Sequence, residues 1–246
     1  MGEGRAGRGA VAILGVMALV VGTWLVATSP IFALRRIQVL GNGWLTAVEV
    51  VDLAGVAQGD NLFRLSTAEI EDDLRRSPWV ASAEVRRVWP STLVVRLTER
   101  RPVAMVRDPE GAVVLAGDGT VLAHSGREPP ARGAFPLLPP TTGGLAPGDT
   151  YPRAGLLSVA RSLPAGLRRL VDRIRLDEEG IILRLAAGGT VLYGSTGGSA
   201  AKNAALRSVL REVRRQGIAV DYIDVRIPSA PAVKPVHSLP GAVPRG

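Results

Sequence analysis

The chain has 246 residues, 46% hydrophobic and 21% charged, which supplies enough apolar material for a core and too little charge for disorder. The absence of cysteine excludes disulfide frameworks and thiolate metal sites, and two histidines leave little material for a zinc site or a serine–histidine triad. A net charge of +8 is compatible with a protein that binds nucleic acid. However, the basic residues are scattered among acidic ones and aromatics make up 4%, so we expect no nucleic-acid partner.

Near the start of the chain, residues 9–34 form a segment without a charged residue. About 20 apolar residues suffice to cross a hydrocarbon core of ~30 Å. Because Arg5 and Arg8 precede the segment, the positive-inside rule predicts a cytoplasmic tail over residues 1–9 and a transmembrane helix over 10–31, with the remainder exported. The alternative is a cleaved signal peptide, whose apolar region is normally shorter.

A small domain is predicted after this segment. Residues 36–40 alternate as a half-buried strand does. Thr46 with Glu49 forms a capping-box pattern, which predicts the start of a helix that ends near Gly55. The side chains of this helix that we expect to face inward are Val48, Val51 and Leu53.

A second helix and two strands complete this domain. Ser66 and Glu69 repeat the capping pattern, and Ser77-Pro78 ends the helix because the residue before proline avoids the α region. Residues 83–89 and 92–100 are predicted as strands joined by a tight turn at Pro90-Ser91. The order is β-α-α-β-β, in which two helices pack on one face of a three-stranded sheet and leave a sheet edge free. Three large apolar residues recur at helical spacing along this segment, namely Ile70, Leu74 and Trp79.

This order of elements resembles a POTRA domain, here over residues 32–100. Five short motifs resemble those of the bacterial cell-division family FtsQ/DivIB. All five occur after one apolar segment, in the order in which the family has them. Physically, such motifs are the turns and strand ends that hold a small domain together. In chain order they are Ile37–Asn42, Gly59–Phe63, Ser77–Val85, Arg87–Leu93 and Glu99–Ala104.

A second, mostly β domain is predicted over residues 101–228. Its clearest element is an amphipathic helix over Ser199–Gln216, which Gly217 ends. A strand is predicted after it, over residues 220–227. The helix residues at spacings of three and four, expected to face inward, are Ala201, Ala205, Leu206, Val209, Leu210 and Val213. The further strands predicted are 103–106, 112–116, 173–176, 181–185 and 190–193, with a short helix at 154–163. The predicted fold class is therefore α+β.

No catalytic constellation is found in the sequence. The glycine-rich stretch 194–199 before the long helix lacks the phosphate-loop spacing, because Lys202 comes too late. The carboxylates of residues 177–179 precede a glycine, which is typical of a solvated hairpin turn. His124 and His237 are interpreted as surface residues. We therefore expect no enzyme, cofactor or metal site.

The resemblance to FtsQ/DivIB implies a function. It implies a non-enzymatic scaffold of the bacterial cytoplasmic membrane, enriched at the division septum. Its partners would be the division proteins FtsB (DivIC) and FtsL and, indirectly, the septal peptidoglycan synthase, with no small-molecule substrate. Two alternatives stay open: a membrane-anchored exported cell-wall enzyme, and a POTRA-containing component of a secretion or assembly system.

The partner site is expected where the last strand meets the proline-rich end of the chain. Residues 229–246 are predicted to begin as an edge strand and to continue as a disordered tail, because prolines are tolerated at sheet edges. The expected binding mode is the addition of a partner strand. A fraying tail without a binding role is the alternative. By position after Ile223–Arg226, the resemblance implies that the contact residues are Ile227, Ser229, Ala232, Val233 and Lys234.

Overall fold

The structure is a computed structural model whose described part forms two compact units. One unit spans residues 1–99 and the other spans 100–246. The described residues are 14–24, 29–108, 111–124, 135–141 and 143–236.

Residues 14–24 are helical, and their large apolar side chains are exposed. The transmembrane helix predicted over 10–31 lies partly outside the described residues, which leave out 1–13 and 25–28. Its last residues belong instead to a short 3-10 helix, Pro30–Phe32, because Ser29 Oγ accepts the N–H of Ile31 at 3.4 Å and starts a new turn. Within the described ranges, no helix combines the length and the hydropathy that a membrane span requires.

The first unit contains a three-stranded sheet with two helices. In the sheet order β1-β3-β2, β1 pairs parallel with β3, and β2 pairs antiparallel with β3. Apolar residues of both helices and all three strands share one core. The elements are β1 (Arg36–Leu40), α1 (Ala47–Ala54), α2 (Thr67–Arg76), β2 (Val80–Val88) and β3 (Thr92–Glu99).

Helix α1 has the predicted capping box but a different buried face. Thr46 Oγ1 accepts the N–H of Glu49 at 3.2 Å, and Glu49 Oε2 accepts the N–H of Thr46 at 2.7 Å. Val50 and Ala54 are buried, whereas the prediction that Val48 faces inward is wrong. Two residues correspond to about 200° around a helix, so Val48 lies on the side away from Val50.

Motif residues tie the loops of the first unit together, as their position at turns and strand ends predicts. The Glu99 carboxylate accepts the N–H of Trp44 at 2.7 Å and that of Leu45 at 3.0 Å. Gly41 has a φ of 83°, and a Cβ there would lie 2.2 Å from the carbonyl oxygen of Leu97. Only glycine can take this close approach between β1 and β3.

The second unit is built on a nine-stranded sheet with the order β12-β11-β10-β9-β8-β7-β4-β5-β6. Its strands are β4 (Pro102–Asp108), β5 (Gly111–Ala116), β6 (Val121–His124), β7 (Leu137–Leu138), β8 (Val171–Asp177), β9 (Gly180–Leu185), β10 (Thr190–Gly194), β11 (Val220–Asp224) and β12 (Ala232–Pro235). Its helices are α3 (Ala154–Ser162), α4 (Ala165–Arg168) and α5 (Ser199–Gln216).

Three details of the second unit differ from the sequence predictions. Ala201 on α5 is exposed, and Lys202 and Asn203 are buried in its place. Strand β11 ends at Asp224, three residues earlier than predicted, because Arg226 N–H turns back to Asp224 Oδ1 at 2.9 Å. Helix α4 and strands β6 and β7 were not predicted from the sequence.

Candidate partner-binding edge

Strand β12 forms one end of the nine-stranded sheet. It pairs antiparallel with β11, and in the described part of the chain no strand pairs with its other side. All four of its side chains are exposed. Such an edge presents main-chain groups that can pair with a strand of another chain.

The free side of β12 carries few N–H donors. Val236 N–H donates to the Ala219 carbonyl at 2.9 Å, so residue 236 faces β11. Because antiparallel partners alternate along a strand, residues 231, 233 and 235 direct their main-chain groups away from β11. Pro231 and Pro235 have no N–H. Between residues 231 and 235, Val233 therefore supplies the single outward N–H, while all three outward residues supply carbonyls.

The side chains of β12 are arranged on two faces of the sheet. Val233 lies opposite the buried Ile223 and is 40% exposed. Lys234 lies opposite Tyr222, with its Nζ 3.0 Å from Asp221 Oδ2 and 5.6 Å from the centre of the Tyr222 ring. The hydrogen bond and charge of Asp221 raise the pKa of Lys234. Lys234 is thus a charged side chain held in place beside the edge.

A depression of about 540 Å³ lies on the sheet face that carries Tyr222. Arg226 crosses it, donating to Asp224 Oδ2 at 2.7 Å and to Glu179 Oε2 at 3.3 Å. The hydrogen bonds from Arg226 hold the pKa of Asp224 below its usual value, and those bonds raise the pKa of Arg226 in turn. The depression therefore combines an aromatic ring with fixed charges of both signs beside the strand edge.

The structure brings together three of the five predicted contact residues. Ala232, Val233 and Lys234 lie on β12. Ile227 and Ser229 do not lie on the strand: they are exposed in the preceding turn, where Ala230 N–H donates to the Ile227 carbonyl at 3.1 Å. The predicted tail beyond residue 236 lies outside the described residues.

The sequence reasoning missed Asp221, Tyr222 and Arg226 as parts of this region. The spacing of Tyr222 and Asp224, two residues apart on a strand, was a signal that they share one face. Their pairing with β12 could not be read from the sequence, because it depends on a register that includes a bulge between Val220 and Tyr222.

The glycine-rich stretch before α5 has a structural role in this fold. Lys202 is 4% exposed, and its Nζ donates to the carbonyls of Tyr193 and Ser195 at 3.0 and 2.9 Å. The lysine thereby fixes the turn between β10 and α5. Among the described residues, no group of three or more histidine, aspartate or glutamate side chains is placed to hold a metal ion.

Three other strands lie at sheet ends. In the first unit both β1 and β2 are outer strands, and in the second unit β6 lies at the end of the sheet opposite β12. β1 and β2 have partly or fully buried side chains among their residues, and so does β6, whereas β12 has none. Of these edges, β12 therefore has the side chains most available to a partner on both faces.

Comparison with known proteins points to one family. Residues 32–100 match a family model described as "POTRA domain, FtsQ-type". A cell division protein FtsQ of Mycobacteroides abscessus is 33% identical over 93% of this chain and 73% of its own length. A cell division protein FtsQ of Corynebacterium glutamicum is 28% identical over 85% of this chain and 89% of its own length.

A partial structural match is also found. The extracytoplasmic domain of the cell division protein DivIB from Geobacillus stearothermophilus is 21% identical, with a TM-score of 0.30. The match covers 38% of this chain and 76% of that domain.

Proposed function

Because the chain belongs to the FtsQ family of bacterial cell-division proteins, we propose that it is a membrane-anchored, non-enzymatic scaffold that binds FtsB (DivIC) at the division site. FtsL and the septal peptidoglycan synthase would join through the same assembly. The observation that carries the proposal is the free edge of β12, with its exposed side chains and outward main-chain groups.

The proposed binding mode is the addition of a partner strand to β12. Val233 offers an N–H and a carbonyl on the free side, and in an antiparallel pair one residue of FtsB would exchange both bonds with it. Pro231 and Pro235 cannot donate, so the register that places an acceptor opposite Val233 forms the most hydrogen bonds. The prolines also disfavour pairing between two copies of this edge.

The depression beside Tyr222 extends this site across one sheet face. A partner segment that continues past β12 would meet the ring of Tyr222 and the charges of Arg226 and Lys234. The depression is lined by more carboxylates than guanidinium groups, so it favours a cationic or aromatic side chain of the partner. The carboxylates are those of Asp177, Glu178, Glu179 and Asp221, and the guanidinium groups are those of Arg175 and Arg226. Asp221 and Glu179 are already held by ion pairs to Lys234 and Arg226. Ordered groups lose less conformational entropy on binding than mobile ones.

The membrane anchor of this proposal rests on the exposed apolar helix of residues 14–24 and on the uncharged segment around it. Exposed leucine, valine and tryptophan side chains at successive positions of one helix are unfavourable in water and favourable in lipid. The long following chain would lie on the outer side.

Val233→Pro tests the proposed edge more sharply than a truncation, because deleting residues 227–246 would also strip β12 from β11. The substitution removes the outward N–H and leaves the bonds to β11 in place, whereas Val233→Ala trims the side chain and keeps the N–H. Binding of the full chain to the exported domain of FtsB would be measured in detergent micelles. An unpaired carbonyl costs about 1–3 kcal/mol, so Val233→Pro should weaken binding about fivefold or more.

Val233→Ala should bind within about threefold of the unchanged chain, because its exposed side chain adds little buried area and its N–H remains. Far-UV circular dichroism would verify that both variants keep the sheet. Equal affinity of Val233→Pro and the unchanged chain would show that FtsB does not pair with this edge.

A further inference from the structure

Three aromatic rings contact one another at one end of the first unit, and we call Phe32, Phe63 and Trp89 the aromatic cluster. The ring centres of Phe32 and Phe63 are 4.8 Å apart, those of Phe32 and Trp89 are 5.7 Å apart, and those of Phe63 and Trp89 are 4.5 Å apart. Two of the five sequence motifs supply Phe63 and Trp89. Neither the core of the unit nor the proposed edge on β12 uses the cluster.

The cluster is largely outside the core. Phe63 and Trp89 are each 48% exposed, and the neighbouring apolar side chains of Ile31 and Val88 are exposed as well. Aromatic side chains bury 150–250 Å² each when they are inside a protein, so leaving two of them half-open forgoes a large stabilisation. Contacting aromatic rings that remain half-exposed are typical of a site of interaction.

The backbone fixes the cluster at the end of the unit where the chain enters. Leu62 N–H donates to the Phe32 carbonyl at 2.9 Å, and Leu34 N–H donates to the Asp60 carbonyl at 2.7 Å. Arg35 N–H donates to the Ser91 carbonyl at 2.9 Å. The entering segment, the loop around Asp60 and the turn after β2 are therefore tied together, and each carries one of the three rings.

The length of chain before the cluster limits its distance from the apolar helix. Phe32 follows residue 24, the last described helical residue, by eight positions. A fully extended chain gains about 3.5 Å per residue, so the two lie within about 28 Å of each other. If residues 14–24 lie in a bilayer, the connecting chain allows the cluster to reach the outer surface of that bilayer and keeps it from lying far away.

The charges next to the cluster suit an anionic surface. Arg35, Arg36 and Arg64 are exposed and, in the part of the chain that the structure describes, have no ion pair. Each lies in one of the tied segments, beside Leu34, Ile37 or Phe63. Exposed aromatic rings flanked by arginine are the composition found at the boundary between headgroups and acyl chains.

From these observations we propose that the aromatic cluster inserts into the headgroup region of the membrane that anchors the chain, with the three arginines on anionic phosphates. The proposal rests on the anchor in the proposed function. It gives the first unit a fixed orientation on the lipid surface, with the cluster facing the bilayer.

The test uses tryptophan fluorescence of the full chain in vesicles of seven parts phosphatidylcholine to three parts phosphatidylglycerol. The acyl chains carry bromine near the headgroup, because bromine quenches only tryptophans that reach it. All variants carry Trp24→Phe, so that the anchor does not contribute. Trp89→Phe is compared with Trp44→Phe, because the ring of Trp44 is also exposed, at 56%, but packs on Trp79, with 5.9 Å between the ring centres.

The proposal predicts that the Trp24→Phe chain is quenched, that Trp44→Phe keeps all of that quenching, and that Trp89→Phe loses at least about four-fifths of it. Replacing phosphatidylglycerol by phosphatidylcholine should lower the quenching of Trp89 about twofold or more, and changing Arg35, Arg36 and Arg64 to Ser should remove this lipid dependence. Equal quenching with and without Trp89 would overturn the proposal, as would the burial of the cluster against a protein instead of lipid.

The anchor itself is tested separately by extraction of the vesicles at alkaline pH. Release of the chain by alkali would overturn the anchor of the proposed function. If alkali releases the chain, the released chain would be mixed again with vesicles. Quenching of Trp89 in that mixture would support the cluster as a lipid-binding surface without the anchor. Absence of the quenching would overturn both the anchor and the lipid-binding role of the cluster. The proposed binding of FtsB is tested independently of these vesicle experiments, by the affinity of the Val233 variants.

Discussion

Polar side chains stabilise the two units at different depths and over different distances along the chain. In the first unit Thr46 and Glu49 cap α1 from exposed positions three residues apart. In the second unit Lys202 and Asn203 are buried, and the Asn203 amide donates to the Ser162 carbonyl at 2.8 Å across 41 positions of the chain. A cap is a property of one short segment, whereas the buried pair depends on the whole unit.

This difference explains where each unit is sensitive. An exposed cap can be lost at a small cost because water replaces its hydrogen bonds. Lys202 is buried and donates to two main-chain carbonyls, and burial lowers the pKa of Lys202 because the charged form is poorly solvated. All four tryptophans belong to the first unit, and all three tyrosines belong to the second, so spectroscopy can follow the units separately.

The largest expected effect is on the core of the first unit. Leu97 is buried on β3 and the neighbouring Arg96 is exposed on the other face. Leu97→Asp would place an unpaired charge in the core and lower the free energy of unfolding by about 3–5 kcal/mol. Urea unfolding of the full chain, followed by tryptophan fluorescence, measures this. Arg96→Asp is the control and should cost less than about 1 kcal/mol; equal effects of the two would mean that the faces of β3 are assigned wrongly.

The next effect concerns the buried lysine of the second unit. Lys202→Met keeps most of the side-chain volume and leaves the carbonyls of Tyr193 and Ser195 without their donor. We expect a loss of about 2 kcal/mol in the second unit, with the tryptophan transition of the first unit unchanged. The stability of the second unit is measured by the hydrogen-exchange rates of the amides in β10 and α5. Arg207→Met, at an exposed position of the same helix, is the control, and exchange as slow as in this control would contradict the role given to Lys202.

The smallest effect is a pH dependence of the exposed cap. The hydrogen bonds from Thr46 hold the pKa of Glu49 below its ordinary value of 4.5. Between the folded pKa and 4.5 the unfolded chain binds more protons, so the contribution is complete above pH 4.5 and is lost as the pH falls through the folded pKa. Glu49→Gln should therefore lower the urea midpoint of the tryptophan transition at pH 7 and have a smaller effect at pH 3. An effect that stays constant with pH would exclude the carboxylate as its source.

The difference between local contacts in the first unit and long-range contacts in the second also determines which features could be predicted from the sequence. In the first unit, caps at Thr46 and Ser66 and the alternation of β3 are local patterns, so both helices and all three strands of residues 36–99 were predicted, and the POTRA arrangement is confirmed. The error at Val48 arose because α1 is apolar on more than one side. A hydrophobic pattern on so short a helix does not select a face.

In the second unit the local patterns indicated most strands but not their neighbours. The two-residue strand β7 lies between β4 and β8, far from both in sequence, and it is too short to show a period. The burial of Lys202 and Asn203 contradicts the usual rule that polar residues face outward, because carbonyls from other segments surround them. An edge strand near the start of the proline-rich end was predicted, but which main-chain groups of β12 face outward depends on its pairing with β11.

Hydrogen exchange of single amides tests most directly the proposed addition of an FtsB strand to the free edge of β12. Val233 N–H faces away from β11 and Lys234 N–H faces toward it, so the two neighbouring amides form a matched pair. Exchange would be measured by nuclear magnetic resonance on the full chain in micelles, alone and saturated with the exported domain of FtsB. We expect the Val233 amide to exchange at least about tenfold more slowly in the complex, while the exchange of the Lys234 amide, which faces β11, changes little. Unchanged exchange of Val233 in the saturated complex would contradict the account.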